Sequence, residues 1–210
     1  MSGGALSTVV AGAARLISGV QASWSDDPLA PGQSVFFANH TSHLDFAVLW
    51  ASLPQEIRVR TRPVAAEDYW SRGLKRFFAV DVFNAVRVPR GGNGAPGERR
   101  LHARSAIDRI ADEMGDRYSL IIFPEGTRGT GEAIAPFKSG LYHLCLRKPT
   151  LQLVPAYIEN LNRILPKGKF LLVPLISRVR FGTPTALDPQ ESKAEFLRRT
   201  REAVCSLQPS

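Results

Sequence analysis

Apolar residues at Leu6, Val9, Val10, Ala13, Ala14, Leu16, Ile17 and Val20 recur at helical spacing, which gathers them on one face of an N-terminal helix. The polar face carries only Arg15 and hydroxyl residues, so the pattern fits a helix lying on a membrane surface and one packed on a domain. A turn-rich link with two prolines follows from Ser25 to Gly32. Then Ser34-Val35-Phe36-Phe37-Ala38 forms a short apolar run of the kind that makes a buried strand, ending at Asn39. Ser42 to Leu53 reads as a helix stopped by Pro54. Arg58 to Arg62 alternates Arg with Val and Thr in strand fashion, closed by Pro63.

The alternation continues to the end of the chain. A helix through Tyr69, Trp70, Leu74, Phe77 and Phe78 precedes a strand from Asn84 to Val88 and a basic, Gly-rich loop from Pro89 to Gly97. Glu98 to Met114 and Phe137 to Leu146 have helical patterns, whereas Ser119 to Phe123, Leu151 to Ile158 and Phe170 to Phe181 have strand patterns. Pro189 to Leu207 is helical in composition. Strands alternating with helices predict an α/β domain. We place the N-terminal amphipathic helix at 1–24, as a membrane-surface anchor, and the main domain at 33–208.

Composition narrows the partners. With 210 residues, 44% hydrophobic and 22% charged, the chain has the size and make-up of one globular domain. Arg15 and several Ser, Thr and Gly residues interrupt its N-terminal apolar stretch, so no spanning helix is expected. Lys and Arg outnumber Asp and Glu by 27 to 19, a net charge of +8, which points to an anionic partner: nucleic acid, anionic membrane or a phosphorylated metabolite. The Arg-rich segments at Arg58 to Arg62 and in the Gly-rich loop accompany no nucleic-acid-binding motif, so nucleic acid is not expected among the partners. The two cysteines, Cys145 and Cys205, stand in no CxxC arrangement, which provides neither a disulfide framework nor a zinc ribbon and fits a reducing cytoplasm.

Two segments carry candidate chemistry. Asn39-His40-Thr41-Ser42-His43-Leu44-Asp45-Phe46 falls where a buried strand gives way to a helix. Five residues apart, His40 and Asp45 would be rotated roughly 140° from each other on a regular helix and could not pair. With His40 ahead of the helix and Asp45 in its first turns, the carboxylate reaches back to one imidazole nitrogen and leaves the other as a general base. No Gly-x-Ser-x-Gly elbow occurs, so a substrate hydroxyl, not a protein nucleophile, is the expected attacking group; Ser42 is expected to cap the helix.

The second segment, Phe123-Pro124-Glu125-Gly126-Thr127-Arg128-Gly129, follows another predicted strand. Arg128 offers a fork suited to phosphate, Gly126 and Gly129 allow backbone to approach a ligand, and Thr127 adds a hydroxyl. Glu125, unsuited to touching phosphate, is expected to hold Arg128 or a glycerol hydroxyl.

Together these segments resemble the glycerolipid acyltransferase family typified by lysophosphatidate acyltransferases, with its Asn-His-x-x-x-x-Asp block and, some eighty residues later, Phe-Pro-Glu-Gly-Thr-Arg. The resemblance covers most of the chain from Val35 to about Gly182. It implies a mixed, mostly parallel sheet flanked by helices, as in glycerol-3-phosphate acyltransferases. It further implies an acyl-CoA or acyl-carrier-protein donor, a lysophospholipid acceptor such as lysophosphatidate, with another lysolipid or glycerol phosphate as alternatives, no metal or other cofactor, and a peripheral place on the cytoplasmic face of an anionic membrane; a thioesterase in which His40 and Asp45 activate water is the rival reading. In Phe83-Asn84-Ala85-Val86-Arg87-Val88-Pro89-Arg90, Arg90 first and Arg87 second match the family's phosphate-binding arginine. In Leu153-Val154-Pro155-Ala156-Tyr157, Val154 and Pro155 match a segment that shapes a substrate pocket. Lys138 could add positive charge to the site.

Overall fold

The computed structural model describes residues 12, 19–25, 29–42, 44–66, 83–88, 96–159 and 177–209. Among these, seven strands form one sheet: β1 (Gln21–Trp24), β2 (Ser34–Ala38), β3 (Thr61–Ala66), β4 (Val86–Val88), β5 (Ser119–Ile122), β6 (Gln152–Glu159) and β7 (Arg178–Phe181). The helices between them are α1 (Asp45–Ser52), α2 (Gln55–Arg58), α3 (Pro96–Met114), α4 (Gly140–Arg147) and α5 (Lys193–Cys205). The order across the sheet is β1-β7-β6-β2-β5-β3-β4, and every neighbouring pair is parallel except β6 with β7. This is the α/β alternation that the residue pattern predicts, arranged as the mixed, mostly parallel sheet flanked by helices that the resemblance implies.

β2 lies inside the sheet, between β5 and β6, and all five of its residues are buried. Its alternating side chains serve two cores, because successive side chains of a strand point to opposite faces. Phe36 and Ala38 join Val48, Leu49 and Trp50 of α1, whereas Val35 and Phe37 join residues of α3, α4 and α5, among them Met114, Leu144 and Phe196. A strand sealed on both faces makes a rigid base for whatever leaves its carboxyl end.

Several boundaries differ from the sequence-based expectations, each for a local reason. Gln21–Trp24, assigned to the N-terminal helix, is a strand: β1 pairs in register with β7, and the Trp24 indole stacks on Phe181 at 3.9 Å. That partner lies far along the chain, so the local apolar spacing carries no sign of it. The sheet therefore reaches back beyond residue 33. Residues 55–58 form the turn of α2, where Arg58 Nη1 donates to the Leu53 carbonyl at 3.2 Å; the strand begins only at Thr61. It also runs through Pro63, at which pairing passes from β5 to β4. Helix α4 starts at Gly140 because the preceding residues are held elsewhere, Lys138 N–H donating to the Pro124 carbonyl at 2.8 Å. Helix α5 starts after Ser192, whose hydroxyl accepts from Glu195 N–H while the Glu195 carboxylate accepts from Ser192 N–H, a reciprocal cap.

Most of the expected N-terminal helix, the helix around Tyr69 to Phe78, His43, Arg90, most of the Gly-rich loop and the first part of the strand expected from Phe170 lie outside the described residues. Among the described residues no helix is long and apolar enough to cross a membrane.

Candidate active site

β2 and β5 are parallel neighbours, with Phe37 opposite Ile122, so the segments that follow them emerge side by side at one edge of the sheet. This adjacency brings together two motifs 85 residues apart in the chain. Segments leaving the carboxyl ends of parallel strands are a common place for ligands in such sheets.

His40 stands just before α1 and Asp45 is its first residue. The imidazole Nδ1 lies 2.8 Å from Asp45 Oδ2. The same oxygen accepts the backbone N–H groups of Thr41 at 2.6 Å and Ser42 at 2.8 Å. An oxygen that takes two amide protons is acting as an acceptor, so Nδ1 carries the proton of this third bond and Nε2 presents its lone pair. The His40 side chain is 23% exposed and the Asp45 side chain 0%, which leaves the ring reachable while its orienter is sealed. The ring also lies flat on Phe123, with centroids 4.4 Å apart and planes at 20°. α1 begins at Asp45 with Leu44 in the cap position, and no side chain caps it. Ser42 consequently does not cap α1; its hydroxyl accepts Leu44 N–H at 3.3 Å within the turn.

The second segment secures the main chain of His40. Glu125, 4% exposed, accepts His40 N–H on Oε1 at 2.7 Å and Ala135 N–H on Oε2 at 2.8 Å. Gly129 N–H donates to the His40 carbonyl at 2.8 Å. Both backbone polar groups of His40 are thereby held by the turn after β5. This corrects the expectation that Glu125 holds Arg128: its two oxygens accept backbone amides instead. Asn39 adds a third anchor, exchanging two hydrogen bonds with the backbone of Ile158 on β6 at 2.9 and 2.8 Å. The sequence reading left Asn39 and Gly129 without positioning roles, although both stand inside the quoted motifs.

Gly126 has φ +69°, and a Cβ there would lie 2.7 Å from Lys138 Nζ. Glycine is favoured at this point by the left-handed backbone, and the flexible end of Lys138 lies across it. Lys138 and Thr127 are exposed and Arg128 is half-buried; no hydrogen bond or ion pair ties these three side chains to another described residue. They are available to an anion. Arg87, half-buried on β4, lies on the outermost strand of the sheet, across β3 from β5. Val154 and Pro155 are buried within β6, Val154 against Phe36 and α1. They act here as core rather than as the lining of an open pocket. A crevice bounded by Asn39, Thr41, Glu125, Gly129 and Tyr157 has a volume of only ≈ 10 Å³, enough for about one water.

Burial pushes the Cys145 thiol up from 9.0 to about 12, which keeps it protonated and unreactive. His102 and His143 are exposed on α3 and α4. Among the described residues no group of three His, Cys, Asp or Glu side chains is placed to hold a metal ion.

The family model described as Acyltransferase matches residues 25–159. The 1-acyl-sn-glycerol-3-phosphate acyltransferase of Limnanthes douglasii is 27% identical over 157 residues, covering 74% of this chain and 51% of that protein. The enzyme of the same name from Haemophilus influenzae is 24% identical over 115 residues, or 54% of this chain and 43% of the other. The chain thus spans about half the length of these relatives. The crystal structure of the 1-acyl-sn-glycerophosphate (LPA) acyltransferase PlsC from Thermotoga maritima superposes with a TM-score of 0.72 at 18% identity, covering 98% of this chain and 80% of that one. At that identity the likeness concerns the fold.

Proposed function

The chain belongs to the acyltransferase family, and from that premise we propose that it transfers a fatty acyl group from a thioester, acyl-CoA or acyl-carrier protein, to the hydroxyl of a lysophospholipid. Lysophosphatidate, giving phosphatidate, is the acceptor we favour, after the names of the relatives. The observation that carries this reading is the His40 ring, bound through Nδ1 to a sealed carboxylate at 2.8 Å with Nε2 free.

In the proposed reaction Nε2 takes the proton of the acceptor hydroxyl as its oxygen attacks the thioester carbonyl carbon. A C–O bond forms, the C–S bond breaks, and the leaving thiolate recovers the proton from the imidazolium. Asp45 stabilises that imidazolium and keeps the ring in its productive tautomer. Arg128, Thr127 and Lys138, without partners among the described residues, would receive the acceptor phosphate, with Arg90 or Arg87 as a further cation. The His40 side chain is partly exposed, and substrate approaches it from that side. The reaction needs no metal or other cofactor. The net charge of +8 supports peripheral binding to the anionic cytoplasmic face of a membrane.

The test is thiol release from palmitoyl-CoA by the full chain, with and without lysophosphatidate presented in anionic or neutral vesicles. Acceptor-dependent release with phosphatidate formed is expected, faster on anionic vesicles, and lowered about 10²–10⁴-fold in a folded His40→Ala variant. Release independent of acceptor would replace transfer by hydrolysis. Full activity of His40→Ala would remove the base assignment, and equal rates on both vesicles would remove the membrane reading.

A further inference from the structure

The peptide unit joining Ile134 to Ala135 is gripped at both ends by charged side chains. Arg201, on α5, donates Nε and Nη2 to the Ile134 carbonyl at 3.0 and 2.6 Å. On the other side of the same planar unit, Ala135 N–H donates to Glu125 Oε2 at 2.8 Å. A cation at the oxygen end and a carboxylate at the N–H end both polarise the peptide in the same sense, so each bond strengthens the other. The remaining Glu125 oxygen takes His40 N–H at 2.7 Å. A continuous chain of bonds therefore runs from guanidinium through peptide and carboxylate to the main chain of His40.

The neighbouring arginines of α5 are used differently. Arg198 pairs with Glu202, and Arg199 pairs with Glu191 and donates to Thr185 and Ala186 in the segment that leads into the helix, so neither reaches the turn after β5. Arg201 forms no ion pair with a described residue and directs two donors at one carbonyl 67 residues away in sequence. Without that cation the Ile134 carbonyl loses its hydrogen bonds to α5 while the Ile134 side chain stays in the core beside Phe196 and Val204, so the peptide is held in place but is oriented by Glu125 from one end alone.

We propose that Arg201 is a positioning residue for the reaction at His40, acting through the Ile134–Ala135 peptide and Glu125 on the backbone that carries the imidazole. This rests on the reading of His40 as the base. Since Arg201 acts on the placement of the base and not on substrate contacts, its loss lowers kcat and leaves KM for donor and acceptor unchanged.

The experiment compares wild type with Arg201→Met, Arg201→Lys, Glu125→Gln and the double variant Arg201→Met/Glu125→Gln, measuring kcat, KM and amide hydrogen exchange at His40 and Ala135. Arg201→Met is expected to lower kcat by up to about 10²-fold, the scale of a small displacement of a catalytic group. Exchange at both amides should accelerate while the amides of β6 keep their protection. Arg201→Lys, which keeps a cationic donor, should recover part of kcat, and the double variant should be no slower than Glu125→Gln alone. Wild-type kcat in folded Arg201→Met, or a slower enzyme whose His40 and Ala135 amides exchange as in wild type, would overturn the proposal. If His40→Ala kept its activity, the base assignment would fall, yet accelerated exchange at both amides would still establish the link from Arg201 to His40.

Discussion

Asp45 and Glu125 are both buried carboxylates, both accept backbone amides, and both bind His40, yet they bind different parts of it. Asp45 concentrates three donors on Oδ2, and one of them is the imidazole itself. Glu125 divides its oxygens between two main-chain amides, those of His40 and Ala135, and makes no hydrogen bond to the ring. The first carboxylate decides which nitrogen of His40 is free; the second decides where His40 stands. Sequence motifs do not separate these roles, because a carboxylate serves either purpose equally well until its partners are known.

Asp45→Asn tests the difference most severely. An amide at this position can offer its own N–H to Nδ1, which stabilises the wrong imidazole tautomer and moves the proton to Nε2. Turnover should fall about 10²–10⁴-fold with the fold retained, as read by steady-state kinetics and circular dichroism. A loss no larger than that of Glu125→Gln would erase the distinction between the two carboxylates.

Glu125→Gln should cost less in rate and more in stability. Its amide nitrogen must face one of two N–H donors, and an unpaired buried donor costs about 1–3 kcal/mol. That corresponds to a fall in Tm of roughly 2–12 °C for a chain of this size, with an activity loss smaller than that of Asp45→Asn. Unchanged Tm together with a loss equal to that of Asp45→Asn would place Glu125 in contact with substrate instead.

The smallest effect belongs to the turn itself. Gly126→Ala introduces a Cβ at φ +69° and 2.7 Å from the flexible end of Lys138. The lysine can swing aside, so the lasting cost is the left-handed backbone, about 1–2 kcal/mol. Differential scanning calorimetry should show a modest drop in Tm while the kcat of the folded enzyme stays within severalfold of wild type. A loss of activity like that of Asp45→Asn would mean that Gly126 itself borders the reacting groups.

Much of the site was legible from the chain alone because its chemistry is local. His40 and Asp45 are five residues apart at a strand-to-helix change, and only a carboxylate at the start of α1 can fold back on that ring. The fate of Glu125 was not legible. Its partners, His40 and Ala135, lie 85 and 10 residues away, and nothing near it in sequence distinguishes an inward carboxylate from one that faces Arg128. Gln21–Trp24 failed for the same reason, since the strand exists only where β7 and the Phe181 ring meet it.

The sequence by itself therefore determined the elements with strong local signals: the apolar run of β2, the long pattern of α3, the succession of strands and helices, and the His40–Asp45 pair. Tertiary structure decided what depends on chain segments meeting across the sheet. The parallel pairing of β2 with β5 carried the second motif onto the backbone of His40, and the packing of α5 brought Arg201 to the Ile134 carbonyl. Hydropathy and spacing report which face of a segment is buried; a hydrogen bond between distant segments depends on where both end up, and that is set only when the sheet is assembled.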